Sequence, residues 1–255
     1  MAGKSVLSWD QIFATVTDPY ERKARLYPAL LALLPILGIA ICLYGMGGNP
    51  KQSLGALATT FGGAYLLVNI GRERGKRIEP DLFSLWGGTP TTQLQRHRHH
   101  RIDRITKQAR HAFLAGKLGV AAPSAATEAA NPQEADQFYA AATRWLIEHT
   151  RDTRRFPLIF AENVSYGYRR NALGLKPIAL TVCLLSVMWV LISQQVLTPH
   201  GIDRTAITRI TQGGRFSLAI SLVMSVVWIF FFTKKTVRTA AFAYADMLLR
   251  ACSAL

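Results

Sequence analysis

The sequence predicts an all-α, polytopic membrane protein with four transmembrane helices, arranged as two hairpins, and a helical, basic cytoplasmic domain between the hairpins. The chain of 255 residues is half apolar and yet carries a net charge of +15. Its apolar residues are gathered into four uncharged runs, each close to the ~20 residues that cross a bilayer as a helix. A disordered basic chain would contain far fewer aliphatic and aromatic residues, so that class is excluded.

The four apolar runs divide the chain into five segments. The runs cover about Leu26–Met46, Leu54–Ile70, Pro177–Leu197 and Phe216–Thr233, and only short turns join the first to the second and the third to the fourth. The predicted segments are an amphipathic leader (1–25), a transmembrane hairpin (26–70), a basic cytoplasmic domain (71–176), a second hairpin (177–233) and a C-terminal cytoplasmic helix (234–255).

The distribution of Lys and Arg gives the orientation. Of the 30 basic residues, 26 lie in the leader, the central segment and the tail. Because the cytoplasmic loops of membrane proteins are enriched in Lys and Arg, this distribution gives the orientation that we expect for a multi-pass membrane protein. Both termini and the central segment are expected to lie in the cytoplasm.

Both ends of the chain are predicted to be helical. The leader has apolar residues at helical spacing, namely Val6, Trp9, Phe13 and Val16. Asp18 followed by Pro19 is the pattern of a helix N-terminus. The tail carries a broad apolar stripe, which needs a partner and includes Val237, Ala241, Tyr244, Leu248 and Ala251. That partner is either the central domain or further copies of the chain in a homo-oligomer.

A strongly basic stretch lies between Arg96 and Lys117. It contains seven basic residues, four histidines and the single acid Asp103. Its apolar residues share one helical face, which predicts a basic amphipathic helix with that face docked: Ile102, Ile105, Ala109, Ala112, Phe113 and Gly116. The opposite, cationic face is then open to solvent, and its residues are Arg96, Arg98, Arg101, Arg104, Lys107 and Arg110. Three interpretations stay open for this face: a solvated surface without a ligand, a surface that binds anionic lipid headgroups, or a binding site for a polyphosphate ligand.

A second basic cluster interleaves arginines with aromatic residues: Arg154, Arg155, Tyr166, Tyr168, Arg169 and Arg170. Phosphate pairing combined with ring stacking is how proteins hold single-stranded nucleic acids, although an aromatic belt at the membrane surface is an equal alternative. Between the clusters, Val120–Asn131 is predicted to be a flexible linker. A helix is predicted from Pro132 to about Thr150, with its buried face formed by Phe138, Ala142, Trp145, Leu146 and His149.

The sequence holds no reactive constellation. It lacks P-loop spacing, a Gly-x-Ser-x-Gly elbow and a His-Glu-x-x-His helix, so we expect no enzyme activity and no cofactor. The histidine-rich run 96–101 could suggest a metal site, but its interleaved arginines would repel a cation, and we expect no metal.

Small and weakly polar residues recur every four positions in two of the apolar runs: Ser217, Ser221 and Ser225 in the fourth, and Gly55, Thr59 and Gly63 in the second. This spacing is typical of close helix packing. The alternative is a serine stripe that lines a pore in an oligomer, with Trp228 and Phe231 as a gate at the cytoplasmic end.

The whole layout, with four spans, two basic clusters and no catalytic motif, resembles the membrane effectors of bacterial antiphage defence. This resemblance implies an oligomeric, channel-like protein that is gated by a nucleotide or oligonucleotide from a partner signal-producing enzyme and that permeabilises the membrane. The alternative is a membrane scaffold or assembly factor whose basic face binds anionic lipid or an acidic protein partner.

Overall fold

The computed structural model of the chain describes residues 17–43, 45 and 50–255, without the side chains of residues 50–61. The described chain is mostly helical. The helices are α1 (Pro19–Leu43), α2 (Pro50–Trp86), α3 (Pro90–Gln95), α4 (Arg104–Leu118), α5 (Ala125–Ala130), α6 (Pro132–His149), α7 (Pro157–Ser193), α8 (Arg204–Arg209), α9 (Gln212–Phe230) and α10 (Lys234–Arg250). Two short antiparallel strands, β1 (Leu197–Thr198) and β2 (Gly201–Ile202), lie between α7 and α8.

Within the described residues, three helices are long and apolar enough to cross a membrane: α1, α7 and α9. They cover most of the first, third and fourth predicted spans. Helix α7 ends at Ser193 and α9 at Phe230, a few residues before the predicted ends, and the predicted end of the first span at residue 46 lies outside the described residues. The second predicted span, Leu54–Ile70, lies inside α2, where the side chains up to residue 61 are outside the described part. The predicted amphipathic helix of the leader also lies outside the described residues.

The chain divides into two compact units. Unit 1 comprises residues 1–77 and 167–236, and unit 2 comprises residues 78–166 and 237–255. The helices α2, α7 and α10 each contribute residues to both units. The predicted boundary between the central segment and the third span, at residues 176 and 177, therefore lies inside the continuous helix α7. Leu, which occurs in α7 on both sides of this boundary, and Arg and Lys, which occur before it, all favour helical backbone.

Unit 1 has a core formed by α1, α2, α7 and α9. Its buried side chains include Leu33, Val68, Leu175, Cys183, Trp228 and Phe232. The predicted N-terminus of α1 is confirmed, since the Asp18 carboxylate accepts the backbone N–H of Glu21 at 2.8 Å. The link between α7 and α9 is more ordered than the short turn that was predicted, because it contains the strand pair and α8, whose N-terminus Asp203 caps.

Glycines allow α2 and α7 to approach closely within unit 1. A Cβ atom on Gly174 would lie 2.6 Å from the backbone nitrogen of Gly75. Beside this contact, Arg74 Nε donates to the carbonyl oxygen of Gly174 at 3.0 Å, and buried Asn171 Nδ2 donates to the carbonyl oxygen of Ala24 at 2.9 Å. Backbone-to-backbone contact of this kind is characteristic of helices that pack through small residues.

Unit 2 is a helical domain with its own core. Leu94 of α3, Leu114 of α4 and Leu146 of α6 are fully buried there, together with Phe242 and Leu248 of α10. The tail helix therefore packs on the central segment, which was one of the two partners left open for its apolar stripe. The helix predicted from Pro132 is confirmed as α6, with Asn131 as its N-cap.

Candidate functional site

The strongest concentration of positive charge forms a loop rather than the start of a helix. Residues 96–103, which we call the basic loop, connect α3 to α4. Asp103 ends the loop, because its carboxylate accepts the backbone N–H of Thr106 at 2.8 Å and caps α4. An N-cap carboxylate satisfies one of the unpaired N–H groups of a helix start. The prediction of one helix from Arg96 to Lys117 is therefore wrong for its first eight residues.

Helix α4 also turns a different face inward from the one that its hydropathy predicts. Its buried residues are Lys107, His111 and Leu114. Ile105, which was predicted to dock, is 76% exposed, and Ala109 is exposed as well. The predicted docked face is therefore wrong at Ile105, Ala109, Ala112 and Gly116, whereas Ile102 and Phe113 do pack against the core of unit 2. The open position predicted for Lys107 is wrong as well. Hydrogen bonds of Lys107, and ring contacts of His111 with His97 and Tyr139, explain why these two polar side chains occupy the inner face.

Lys107 holds the basic loop from inside. Its Nζ donates to the carbonyl oxygens of Arg96 at 2.8 Å, His97 at 3.3 Å and His99. The ammonium group is thus surrounded by three carbonyl oxygens of one loop, in a position where the side chain is 4% exposed. Burial lowers the pKa of Lys107 from its ordinary value. Lys107 therefore organises the loop and does not present its charge to a ligand.

Glu128 of α5 holds the same loop from the opposite side. Its Oε2 accepts the backbone N–H of His97 at 2.8 Å and the hydroxyl of Tyr139 at 2.7 Å. Burial alone would raise the pKa of Glu128, but the hydrogen bonds from His97, Tyr139 and the backbone of Arg98 outweigh it and lower the pKa. This carboxylate was missed in the sequence, because Val120–Asn131 was wrongly predicted to be a linker.

Buried His111 and partly buried His97 complete the inner network. His97 Nε2 donates to the carbonyl oxygen of Pro123 at 2.9 Å. The ring of His111 lies 5.0 Å from the ring of His97 and stacks 5.4 Å from Tyr139, measured between centroids. Burial lowers the pKa of His111 to about 4, so this histidine is neutral at physiological pH. In the described part of the chain, no three His, Cys, Asp or Glu side chains gather as metal ligands.

The six predicted cations of this region divide into an inner and an outer set. Arg96 is in the inner set, because its Nε and Nη2 donate to both carboxylate oxygens of Asp136 at 2.9 and 2.6 Å. Arg110 is partly buried and lies 3.9 Å from a carboxylate oxygen of Asp246. Lys107 completes this set. The outer set, which solvent reaches, consists of Arg98, Arg101 and Arg104.

The outer side of the loop is strongly cationic. His99 and His100 lie there beside Arg98 and Arg101. Burial lowers the pKa of His99, and the surrounding positive charges, among them Arg101 and Arg238, lower it further. Arg238 of α10 also belongs to this region, although no motif in the sequence places it there. Only its spacing of four residues from the aromatic Phe242 could have suggested a shared surface.

The second predicted cluster is divided between the two units. Arg154 and Arg155 are exposed in unit 2, where Arg155 Nη2 donates to the carbonyl oxygen of Ala254 at 2.9 Å. Tyr166, also in unit 2, is buried; its hydroxyl donates to the carboxylate of Glu79. A buried ring of this kind is not available for stacking on a base. Three further members, Tyr168, Arg169 and Arg170, belong to unit 1.

Those three members in unit 1 are engaged within that unit. Tyr168 lies 5.9 Å from the ring of Phe232, measured between centroids. Arg169 Nη1 donates to the carbonyl oxygen of Thr236 at 3.4 Å, and Arg170 is buried. These positions are those of structural residues.

The small residues of the apolar runs serve helix packing wherever the structure describes them. Ser217 and Ser221 of α9 are fully buried, and Ser217 Oγ lies 3.3 Å from the carbonyl oxygen of Gly38 in α1. Ser225 Oγ donates to the carbonyl oxygen of Ser221 at 2.8 Å. In α2, a Cβ atom placed on Gly63 would lie 3.7 Å from a methyl carbon of Leu33, so Leu33 packs beside this glycine. The surroundings of Gly55 and Thr59 fall in the range 50–61, of which only the backbone is described.

The two predicted gate residues have different surroundings. Trp228 is fully buried in the core of unit 1, where its ring lies 4.6 Å from that of Phe232. Phe231 is 53% exposed. Within the single chain, Trp228 is thus a packing residue, and only Phe231 points to solvent or lipid.

No family model, curated protein or solved structure matches this chain.

Proposed function

We propose that this protein is a multi-pass effector of the bacterial inner membrane that binds an anionic, phosphate-bearing ligand, a nucleotide or oligonucleotide, on the basic loop of unit 2. In this proposal the protein acts as a homo-oligomer in antiphage defence, where the ligand from a signal-producing partner enzyme causes it to permeabilise the membrane. Both termini and unit 2 then lie in the cytoplasm.

One observation carries the proposal. The basic loop is held by inner contacts of Lys107 and Glu128, and these contacts leave Arg98 and Arg101 of the loop exposed, together with Arg104 at the start of α4. A loop that is fixed from inside presents its guanidinium groups with little loss of conformational freedom on binding. Arginine suits phosphate because its planar fork of donors matches two phosphate oxygens at once. Three helices that are able to cross a membrane support the membrane part of the proposal.

The binding test uses the full chain in detergent micelles and a fluorescent, single-stranded oligothymidylate. We expect binding that weakens steeply with salt, as it does when cations displace the counterions of a phosphate backbone. The variant Arg98→Gln/Arg101→Gln/Arg104→Gln should lose most of this affinity. Its matched control, Lys117→Gln/Arg144→Gln/Arg151→Gln, removes three exposed charges from the same unit outside the loop and should retain it.

The functional test places the same proteins in liposomes that are loaded with a fluorescent dye. We expect the oligonucleotide to increase dye release for the wild type and the control, but not for the loop variant. The proposal is contradicted if wild-type protein shows no salt-dependent binding, or if the two triple variants bind equally. If the loop variant loses binding to nanodiscs of anionic lipid but not binding to the oligonucleotide, the protein is instead a membrane scaffold.

A further inference from the structure

Two arginines from different elements of unit 2 meet at one aromatic ring. The guanidinium carbon of Arg101, in the basic loop, lies 5.6 Å from the ring centroid of Phe242. The guanidinium carbon of Arg238, on α10, lies 5.3 Å from the same centroid. The ring of His99 stacks on Phe242 as well, with 6.3 Å between centroids. Phe242 itself is 4% exposed, so it supports these groups and offers no open face.

The acidic groups of the neighbouring elements are already engaged. Asp103 caps α4, Glu128 lies inside the loop, and Asp136 is paired with Arg96. On α10, Asp246 is paired with Arg250 at 2.8 Å. Among the residues that the structure describes, no ion pair is formed by Arg101 or Arg238.

This arrangement gathers positive charge without a counter-charge. Each guanidinium group is attracted to the face of the Phe242 ring, but the two groups, both exposed, repel each other. Burial lowers the pKa of His99, and the charges of Lys107, Arg101, His100 and Arg238 lower it further. An anion between the two arginines would remove the repulsion.

We infer that Arg101 and Arg238 form a clamp for a single phosphate group, with His99 as a neighbouring hydrogen-bond partner. This inference rests on the proposed function and names the part of the ligand that is bound at the loop. The phosphate belongs either to a soluble nucleotide-type ligand or to a lipid headgroup. Each guanidinium would donate to the phosphate oxygens, one from the loop and one from α10.

The test is calorimetric titration of inorganic pyrophosphate into the full chain in phosphatidylcholine nanodiscs. We expect Arg101→Gln and Arg238→Gln each to weaken binding about tenfold or more, as the loss of a charged hydrogen bond does. Arg101→Lys and Arg238→Lys, which keep the charge but not the fork, should fall between the wild type and the Gln variants. Arg144→Gln is the control and should bind like the wild type, because Arg144 is exposed on α6 and lies outside the basic loop.

The outcomes separate this inference from the proposed function. The clamp is overturned if pyrophosphate does not bind to the wild type. It is also overturned if both Gln variants melt like the wild type and bind pyrophosphate as tightly as the wild type does. If the oligonucleotide still binds in that case, the proposed function stands without it. If pyrophosphate binds through both arginines but the oligonucleotide does not, the clamp stands and the proposed ligand is wrong.

Two further arms identify the source of the phosphate. Phosphatidic acid added to the nanodiscs should abolish pyrophosphate binding if a lipid headgroup occupies the clamp. The clamp would be assigned to a soluble ligand if a 5′-phosphorylated oligonucleotide competes with pyrophosphate and the unphosphorylated oligonucleotide competes more weakly.

Discussion

Replacing Lys107 by Met should open the basic loop while leaving its exposed charges in place. Met keeps most of the length and apolar surface of the Lys side chain but has no N–H donor. In the folded protein, three carbonyl oxygens, those of Arg96, His97 and His99, then lose their common partner. The change therefore tests whether one buried ammonium group determines the structure of the loop.

The expected loss of stability follows from the number of carbonyl groups involved. A buried polar group without a partner costs about 1–3 kcal/mol. The carbonyl oxygen of Arg96 keeps the backbone N–H of His99 at 3.1 Å, so two carbonyl groups, those of His97 and His99, lose the Lys107 hydrogen bond without that compensation. Two such groups would cost about 2–6 kcal/mol, but the loop can admit water, and Met relieves the desolvation of a buried charge. We therefore expect a destabilisation of about 3 kcal/mol. For a chain of this size, it corresponds to a fall in Tm of about 6–12 °C.

The assay is thermal unfolding in detergent, together with amide hydrogen exchange of residues 96–103. The N–H of His97, which donates to Glu128, should exchange faster in the variant. Lys117→Met is the matched control on the same helix: Lys117 is exposed and lies 5.3 Å from the Phe113 ring, so its loss should change stability by about 1 kcal/mol or less. An unchanged Tm and unchanged exchange for Lys107→Met would refute the role assigned to this residue.

Two further predictions concern pH and helix packing. The pKa of His111 is about 4 in the folded state against an ordinary 6.5, so the unfolded chain binds more protons between these values and stability falls as the pH drops through this window. Between about pH 7 and about pH 5, the protonation of this histidine in the unfolded chain should lower the free energy of unfolding by about 2 kcal/mol. In measurements of Tm against pH, the Tm of His111→Gln should therefore fall less steeply than that of the wild type. Equal slopes for the two proteins would contradict this prediction. Gly213→Ala should lower the Tm or prevent folding, since its Cβ would collide with the Cys42 carbonyl oxygen, whereas Gly116→Ala, with open space around the Cβ, should be neutral or slightly stabilising. A Gly213→Ala protein that melts like the wild type would show that α1 and α9 pack differently.

The features that could be predicted from the sequence are those that local residue patterns determine. Long apolar runs predicted α1, α7 and α9, because the length of an apolar segment needs no knowledge of its partner. The start of α6 was predictable from Asn131 and Pro132 for the same reason. Asp103 gave an equally local signal for the start of α4, and the apolar periodicity that continued through Ile102 concealed it.

The parts that could not be predicted depend on hydrogen bonds between distant segments. Hydropathy assigns Lys107 and His111 to the solvent side of α4, because it counts a Lys or His as polar whatever its partners. The three loop carbonyls and the stacked ring of Tyr139 reverse that assignment. Likewise, the Ala-rich stretch around α5 was read as a linker, although Ala is the strongest helix former and Ser124 supplies an N-cap.

The structure of the basic loop and its outward charge have separate origins. Lys107 and Glu128, the groups that hold the loop, carry opposite charges, so they contribute no net charge to it. Arg101 and Arg238 each contact the Phe242 ring, but neither forms an ion pair within the part of the chain that the structure describes. The contact of an exposed cation with a ring contributes about 1 kcal/mol or less. A bound anion would supply the missing counter-charge, so removal of Arg101 or Arg238 should weaken binding about tenfold or more while changing stability by only about 1 kcal/mol or less.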